Sequence, residues 1–531
     1  MNRDKESFFI TTPIYYVNDK PHLGTAYSTL LADGRARFER LVKKDVFFLT
    51  GTDEHGEKIA QSAEKHEMSA QEWTDSMIPA FKDLWEKLNF SNDDFIRTTQ
   101  DRHTVAVQKI LEELKDKNAI YKDKYTGWYC VHEETHFTET QVHQYNEEKG
   151  KPEEHMCPDC DRELERVEED SWFFRLSDYQ DKLLSLYEEH PEFIEPEIRR
   201  NEVVSFVKGG LNDLSISRTS FSWGIPFSFD EEHVTYVWID ALINYLTAIG
   251  YGDESKAEEL AYRWPADVHI VGKDIIRFHC VIWPAILMAL GLEVPKRVFV
   301  HGFLLINGKK MSKSRGNAID PYDLIKIFGS EAYRYYFLTD ITHGADSSIS
   351  IERMAQVYNA DLANSWGNLV SRALNMSDKY FDGKTPGITD EQIQKTNILS
   401  AKIEKLYQPY CEAMEEMQFG KAAALVLEVI DAANLYIEQT TPWNLAKMEG
   451  AQEELAFVIY NILEAIRIVA YFYLPFMPKI SQEVLSRLSE HDLSASLEDF
   501  ARWGQLKQGV EVHKGEALFP RLDVEKLSLN E

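Results

Sequence analysis

Residues 308–317 place four cations, Lys309, Lys310, Lys313 and Arg315, and two hydroxyls, Ser312 and Ser314, between two glycines. That composition suits a triphosphate, because ammonium and guanidinium groups make short charge-assisted bonds to phosphate oxygens. Far upstream, an apolar run ending at Tyr15-Tyr16 is followed by the polar turn Asn18-Asp19-Lys20-Pro21 and then by His22-Leu23-Gly24-Thr25. Strand, turn and helix start in that order set a histidine and backbone N–H groups at a helix N-terminus, which also favours phosphate. Gly24 lets an adenine or ribose lie against the main chain, and His22 can donate to a phosphate as its charge grows. Each segment has an ordinary alternative, a solvated basic loop and a helix cap. Two further groups can do chemistry. Asp53 ends a second apolar run, where a carboxylate can pair with an ammonium that apolar walls cannot hold. Cys157-Pro158-Asp159-Cys160 has the spacing of half a zinc site.

The elements that must position these groups follow from the hydrophobic period. Strand-like runs at residues 8–16 and 46–50 alternate with helical stretches at 26–41 and 71–88, the pattern of a parallel α/β sheet with functional residues at its strand ends. Strand signals return at 234–239, 268–271 and 297–305. Between them lie short Tyr-, Trp- and Thr-rich pieces with Gly and Pro turns. The expected fold is therefore α/β, a Rossmann-type parallel sheet split by an insert. Its first half spans 1–118, the insert with its Cys knuckle 119–229, the second half 230–295, and a linker with the lysine-rich loop 296–355. Residues 356–531 read as a helical bundle, with amphipathic stretches at 399–418, 422–438 and 455–473.

The chain has 531 residues, 44% of them apolar, a globular balance too long for a single core. The polar N-terminus runs straight into a strand, which leaves no room for a signal-peptide core, and the apolar stretch 278–292 is too short for a bilayer. A cytosolic protein without membrane contact is expected. Five cysteines do not make a disulfide framework. With 88 acidic against 58 basic residues the net charge is −30, so any RNA surface has to be a local patch.

Lys310-Met311-Ser312-Lys313-Ser314 with His22-Leu23-Gly24 resembles the paired signatures of class I aminoacyl-tRNA synthetases, in the right order across a split sheet. The blocks 11–16, 51–56, 237–245 and 272–279, followed by Trp283-Pro284-Ala285, resemble the methionyl branch of that class. The resemblance covers nearly the whole chain. It departs at one place, since the usual second histidine of the first signature is Thr25. The resemblance implies that methionine and ATP with Mg2+ form methionyl-adenylate, and that the methionyl group passes to the terminal ribose of initiator and elongator tRNA(Met). His22, Lys310 and Lys313 are the implied catalytic groups. ATP is expected to meet His22, Gly24, Thr25, Lys273, Asp274, Lys310, Met311, Ser312, Lys313 and Ser314. A threonine donates one neutral bond where a histidine can donate a charged one, so phosphate stabilisation shifts toward His22 and Lys313.

An unbranched thioether needs a deep apolar slot, and Ile14, Tyr16, Trp238, Ala241, Leu242, Tyr245, Ile275, Phe278, His279 and Trp283 are the implied walls, with Asp53 on the ammonium. The resemblance implies that the Ile14 main chain and the Tyr245 hydroxyl lie near the sulfur. One methylene discriminates by only ~1–3 kcal/mol, so homocysteine is expected to enter. The insert of about 110 residues is too short for the editing domain of the leucyl, isoleucyl and valyl enzymes. In the zinc-bearing branch an upstream Cys pair joins the knuckle. Here only Cys130 stands there, so Cys130, Cys157 and Cys160 need His132 or Glu133 as fourth ligand, or the knuckle is metal-free. Asn364, Asn368 and Arg372, at spacings of four, and Trp443 match the family's anticodon readers. A monomer is expected. The rivals are a cysteinyl or leucyl enzyme, separated by exchange assays over twenty amino acids, and a silent tRNA-binding paralogue, which binds tRNA without exchanging pyrophosphate.

Overall fold

The computed structural model describes residues 5–131, 135–137, 139–151, 154–158, 160–306, 308–310, 319–524 and 527. Its centre is a six-stranded parallel sheet of β1 (Ser7–Tyr16), β2 (Asp45–Asp53), β3 (Asp94–Arg97), β4 (Ile194–Glu195), β5 (Val268–Gly272) and β6 (Val298–His301). The spatial order is β3-β2-β1-β5-β6-β4. Both faces of a parallel sheet are covered, which is why β1 and β2 read as continuous Phe-, Ile- and Thr-rich runs. The chain turns from β1 to β2 on one side and later returns to β5 on the other. Between β1 and β5 the sheet reverses direction of growth, and a crevice opens at their C-terminal ends.

The expected boundaries need two corrections. β4 lies inside the range read as insert, and β6 inside the range read as linker. A two-residue strand has no period to detect, so only its pairing with Val298 and Phe299 reveals it. The run at 297–305 is not one strand. It breaks at Gly302, where an added Cβ would sit 2.2 Å from the Ala345 backbone, and Leu304–Ile306 joins a separate small sheet. The run at 234–239 is likewise divided. Asp230–Thr235 pairs in an antiparallel sheet, and a helix starts at Val237, because this segment is apolar on every side and periodicity cannot tell strand from buried helix.

The helices that matter for the site are α1 (Leu23–Leu41), α2 (Asp101–Asp116) and α3 (Val237–Thr247). The insert is an antiparallel sheet led by the long pair Ile120–Cys130 and Glu165–Phe174. Downstream lie α4 (Ser330–Thr339), α5 (Asn368–Phe381), α6 (Phe419–Thr440) and α7 (Gln452–Phe472). The stretch 399–418 forms two helices, Ile398–Glu404 and Tyr407–Glu415, since Pro409 has no N–H to continue the ladder. α7 is long and apolar enough to span a bilayer, but 94% of its apolar window is buried in the bundle. One apolar core runs from Phe8 and Ile10 through α1 and α4 to Phe472 and Phe476.

Candidate active site

A cleft of about 610 Å³ occupies the crevice, bordered by the last residues of four strands: Tyr16 of β1, Asp53 of β2, Gly272 of β5 and His301 of β6. The register of β1 on β2 slips between Thr11 and Ile14, so Thr12 and Pro13 together face Thr50. Pro13 cannot donate to the ladder, and the bulge re-aims Ile14, Tyr15 and Tyr16 toward the cleft. The Thr12 hydroxyl, 2.8 Å from Thr50 Oγ1, fastens it.

One end of the cleft is the N-terminus of α1. His22 caps the helix through Nδ1, which accepts from the backbone N–H groups of Gly24 at 3.0 Å and Thr25 at 3.3 Å. Because Nδ1 accepts, the ring proton sits on Nε2, which is the nitrogen able to donate to a phosphate. Gly24 makes room for this, since a Cβ there would stand 3.0 Å from His22 Cε1. The Thr25 hydroxyl closes the capping box, accepting from His22 N–H at 3.4 Å. His22, Gly24, Thr25 and Asp274 all border the cleft. Lys273 does not; its ammonium is held by Asp346 at 2.7 Å. The main chain of Lys310 pairs with Leu305 in a hairpin, and Ile319 lines the cleft. Met311, Ser312, Lys313 and Ser314 lie outside the described residues.

The sequence did not single out His301 and Ser28, which border the same end and lie 2.7 Å apart. His301 donates from Nδ1 to the Gly302 carbonyl, and burial lowers its pKa. The available signal was position, a histidine ending a parallel strand beside the switch point.

The other end is a slot between the ends of β1 and β2 and the helix α3. Ile14, Tyr16, Asp53, Trp238, Ala241, Leu242, Tyr245, Ile275 and His279 line it. Tyr16 donates its hydroxyl to the His55 carbonyl at 2.8 Å. His279 donates from Nδ1 to the Ile275 carbonyl and accepts the Tyr245 hydroxyl proton at Nε2, 2.7 Å away. Tyr245 therefore offers the slot its ring and oxygen lone pairs, with its proton already committed. Burial pushes the His279 pKa down to about 4 and the Tyr245 pKa up. Two expected wall residues stand one layer back. Phe278 stacks on Trp238 with centroids 3.9 Å apart, and Trp283 donates its indole N–H to His269 Nε2 behind Tyr245. Each buries an aromatic ring against a wall residue, which sequence spacing cannot distinguish from being the wall.

In the insert, the sulfurs of Cys130, Cys157 and Cys160 all lie within 4.8 Å of one another, Cys130 and Cys160 at 3.6 Å. His132 and Glu133 lie outside the described residues. In the bundle, Asn364 sits in the widely wound turn Tyr358–Gly367, while Asn368 and Arg372 belong to α5. Asn364 and Asn368 are exposed. Arg372 pairs with Glu438 of α6 at 2.6 Å, and Trp443, 37% exposed, follows in the short helix Pro442–Leu445.

Comparison with known proteins points to one family. The family model described as tRNA synthetases class I (M) matches residues 8–374, and that of the anticodon binding domain of methionyl tRNA ligase matches 387–529. A methionine–tRNA ligase of Caldanaerobacter subterraneus subsp. tengcongensis is 47% identical over 98% of this chain and 80% of its own length. One of Thermotoga maritima is 47% identical over 97% of this chain and 80% of its own. The Mycobacterium tuberculosis methionyl-tRNA synthetase solved in complex with methionyl-adenylate superposes with a TM-score of 0.91 at 38% identity, covering 97% of this chain and 100% of that one.

Proposed function

Because the chain belongs to the class I methionyl-tRNA synthetases, it is a ligase that activates methionine with ATP and charges tRNA, and we propose the following division of labour within its cleft. Methionine lies in the slot with its side chain among Tyr16, Trp238, Ala241, Leu242 and Tyr245 and its ammonium on Asp53. Its carboxylate then faces the N-terminus of α1, where ATP arrives with Mg2+ as part of the substrate. The carboxylate oxygen bonds to the α-phosphorus as the bond to pyrophosphate breaks, giving methionyl-adenylate. No side chain needs to act as nucleophile, because alignment and charge stabilisation supply the rate. His22 Nε2–H and the Lys313 ammonium hold the phosphate oxygens, Lys310 and Ser312 anchor the loop, and the Thr25 hydroxyl adds a neutral donor. The terminal 2′-hydroxyl of tRNA then attacks the methionyl carbonyl and AMP leaves.

The observation that carries this reading is that a helix N-terminus capped by His22 and an apolar slot ending in Asp53 open into one cleft. Pyrophosphate exchange across twenty amino acids, followed by charging of initiator and elongator tRNA(Met), tests it. Exchange stimulated by methionine alone is expected, and an equal response to cysteine or leucine overturns the slot assignment.

We further propose that the three thiols hold a structural zinc ion, with His132 or Glu133 as fourth ligand. Their mutual spacing supports the proposal. Bound there, zinc cross-links the insert far from the reacting atoms. Elemental analysis of protein purified without added zinc tests this, and well under one zinc per chain refutes it. Asn364, Asn368, Arg372 and Trp443 are proposed as anticodon contacts, and a cytoplasmic monomer is the proposed working state.

A further inference from the structure

Behind the slot lies a buried network that the reaction as described does not use. Asp240 of α3 does not border the cleft and is fully buried. One carboxylate oxygen accepts from His55 Nδ1 at 2.7 Å and the other from His103 Nε2 at 2.7 Å. Burial alone would push this carboxyl up, but the two facing imidazoles outweigh it and hold the pKa down at about 2. His103 belongs to α2 and its Nδ1 lies 2.9 Å from the Thr247 hydroxyl at the far end of α3. His55 stands two residues beyond Asp53, and its carbonyl accepts the Tyr16 hydroxyl. The segment between is fixed independently. Glu54 accepts from Arg97 at 2.7 and 2.9 Å, from Thr52 and Thr99 at 2.6 Å, and its main-chain N–H donates to Thr98.

The His55–Asp240 bond thus ties the two walls of the slot together. Tyr16 and Asp53 stand on the strand side, and Trp238, Ala241, Leu242 and Tyr245 on the α3 side. We propose that Asp240 is the positioning residue that fixes the distance between these walls, clamping α3 to His55 in front and to α2 through His103 behind. The proposal rests on the slot being the methionine site. Two bonds from one buried carboxylate set the spacing more stiffly than apolar contact, because each histidine nitrogen leaves its place only by abandoning a charged acceptor in a dry interior. Loss of the clamp lets α3 shift against a strand side that the Glu54 bonds keep in place, and so widens the slot for the thioether. Among the described residues, the network's bonds join Asp240, His55 and His103 to one another, to Thr247 and to Tyr16, and not to α1 or β6, which build the ATP end.

Steady-state pyrophosphate exchange on the full chain separates this role from a purely structural one. Asp240→Asn keeps the shape but sets an amide N–H against one imidazole donor. The methionine KM is expected to rise about tenfold or more, with the ATP KM within about twofold of the parent. His103→Phe removes the rear bond and is expected to shift the methionine KM the same way by less, while His103→Gln, which keeps a donor, recovers most of the loss. If Asp240→Asn does not fold, the His103 pair decides. Variants that melt earlier yet keep the parent's methionine KM overturn the clamp, as does an equal rise in both KM values. Ala241→Leu fills the slot directly. An unchanged methionine KM there overturns the slot reading and the clamp with it, whereas a responding Ala241→Leu beside an unresponsive Asp240→Asn overturns the clamp alone.

Discussion

In the proposed mechanism His22 does two jobs with its two ring nitrogens, a division by which an incomplete first signature can serve. Nδ1 is spent on the helix cap, which orients the ring and assigns the proton to Nε2. Thr25 occupies the place of the family's second histidine and uses its oxygen to close the cap from the other side. The proposed mechanism then assigns the charge-stabilising work to His22 Nε2 and the lysine loop. Lys313→Ala is expected to slow adenylate formation by roughly 10²–10³-fold while the methionine KM stays within a factor of about two, as for a contact made chiefly in the transition state. Single-turnover measurement of adenylate formation checks this, and a large loss of methionine affinity refutes it. Gly24→Ala, which crowds the His22 ring at 3.0 Å without backbone strain, is expected to give a smaller slowing of the same kind in that assay.

Among the elements, the ends of α5 and α6 form a unit of their own. The Arg372–Glu438 pair ties them together just before the chain turns into Pro442–Leu445 and presents Trp443. The ion pair is half exposed, so its contribution to stability is small, and in the proposed anticodon contact it serves to orient the guanidinium toward a base edge. Arg372→Ala is therefore expected to lower kcat/KM for tRNA charging about 10-fold to 100-fold with pyrophosphate exchange unchanged. Parallel assays on one preparation decide, and a matching loss in exchange shows that the bundle end acts on the catalytic cleft.

Over the whole molecule, catalytic sheet and bundle share a single core, and buried polar groups pin them together. Arg334 of α4 pairs with Asp33 of α1 at 2.7 Å, both fully buried, and donates to the carbonyls of Leu88, Pro475 and Phe476. Burial opposes the Asp33 charge, but Arg37 and Arg334 more than offset it and hold the carboxyl well below its usual range. Asp33→Asn deprives the buried Arg334 of the carboxylate 2.7 Å away and is expected to cost ~3–5 kcal/mol, read from denaturant unfolding. His343 joins the same two bodies, accepting from the Tyr27 hydroxyl at 2.7 Å and meeting Phe419 at the start of α6 edge-on. Burial lowers its pKa from 6.5 to about 4. The unfolded chain takes up this proton near pH 6.5 and the folded chain only near 4, so the stability is complete above 6.5 and declines as the pH falls through that window, by on the order of 3 kcal/mol. The melting temperature of His343→Gln is expected to fall less steeply than the parent's between pH 6.5 and 4.5.

The sequence alone determined the chemistry and the order of the parts. Lys310 to Ser314, His22 to Gly24, the split sheet and the helical tail are local patterns, legible because a helix cap, a strand period or a basic loop is encoded by neighbours in the chain. Most of the slot was legible too, but only through a family resemblance, since Ile14, Asp53, Ala241 and His279 come from four separate elements. What the tertiary structure decided depends on distance between distant residues. It moved Phe278 and Trp283 behind the walls, turned Lys273 onto Asp346, added His301 and Ser28, and gave the sheet β4 and β6 from ranges read as other domains. The pairing of His55 with Asp240, 185 positions apart, is of this kind. No spacing rule can find it, because a buried carboxylate is satisfied by whichever donors the fold brings within reach.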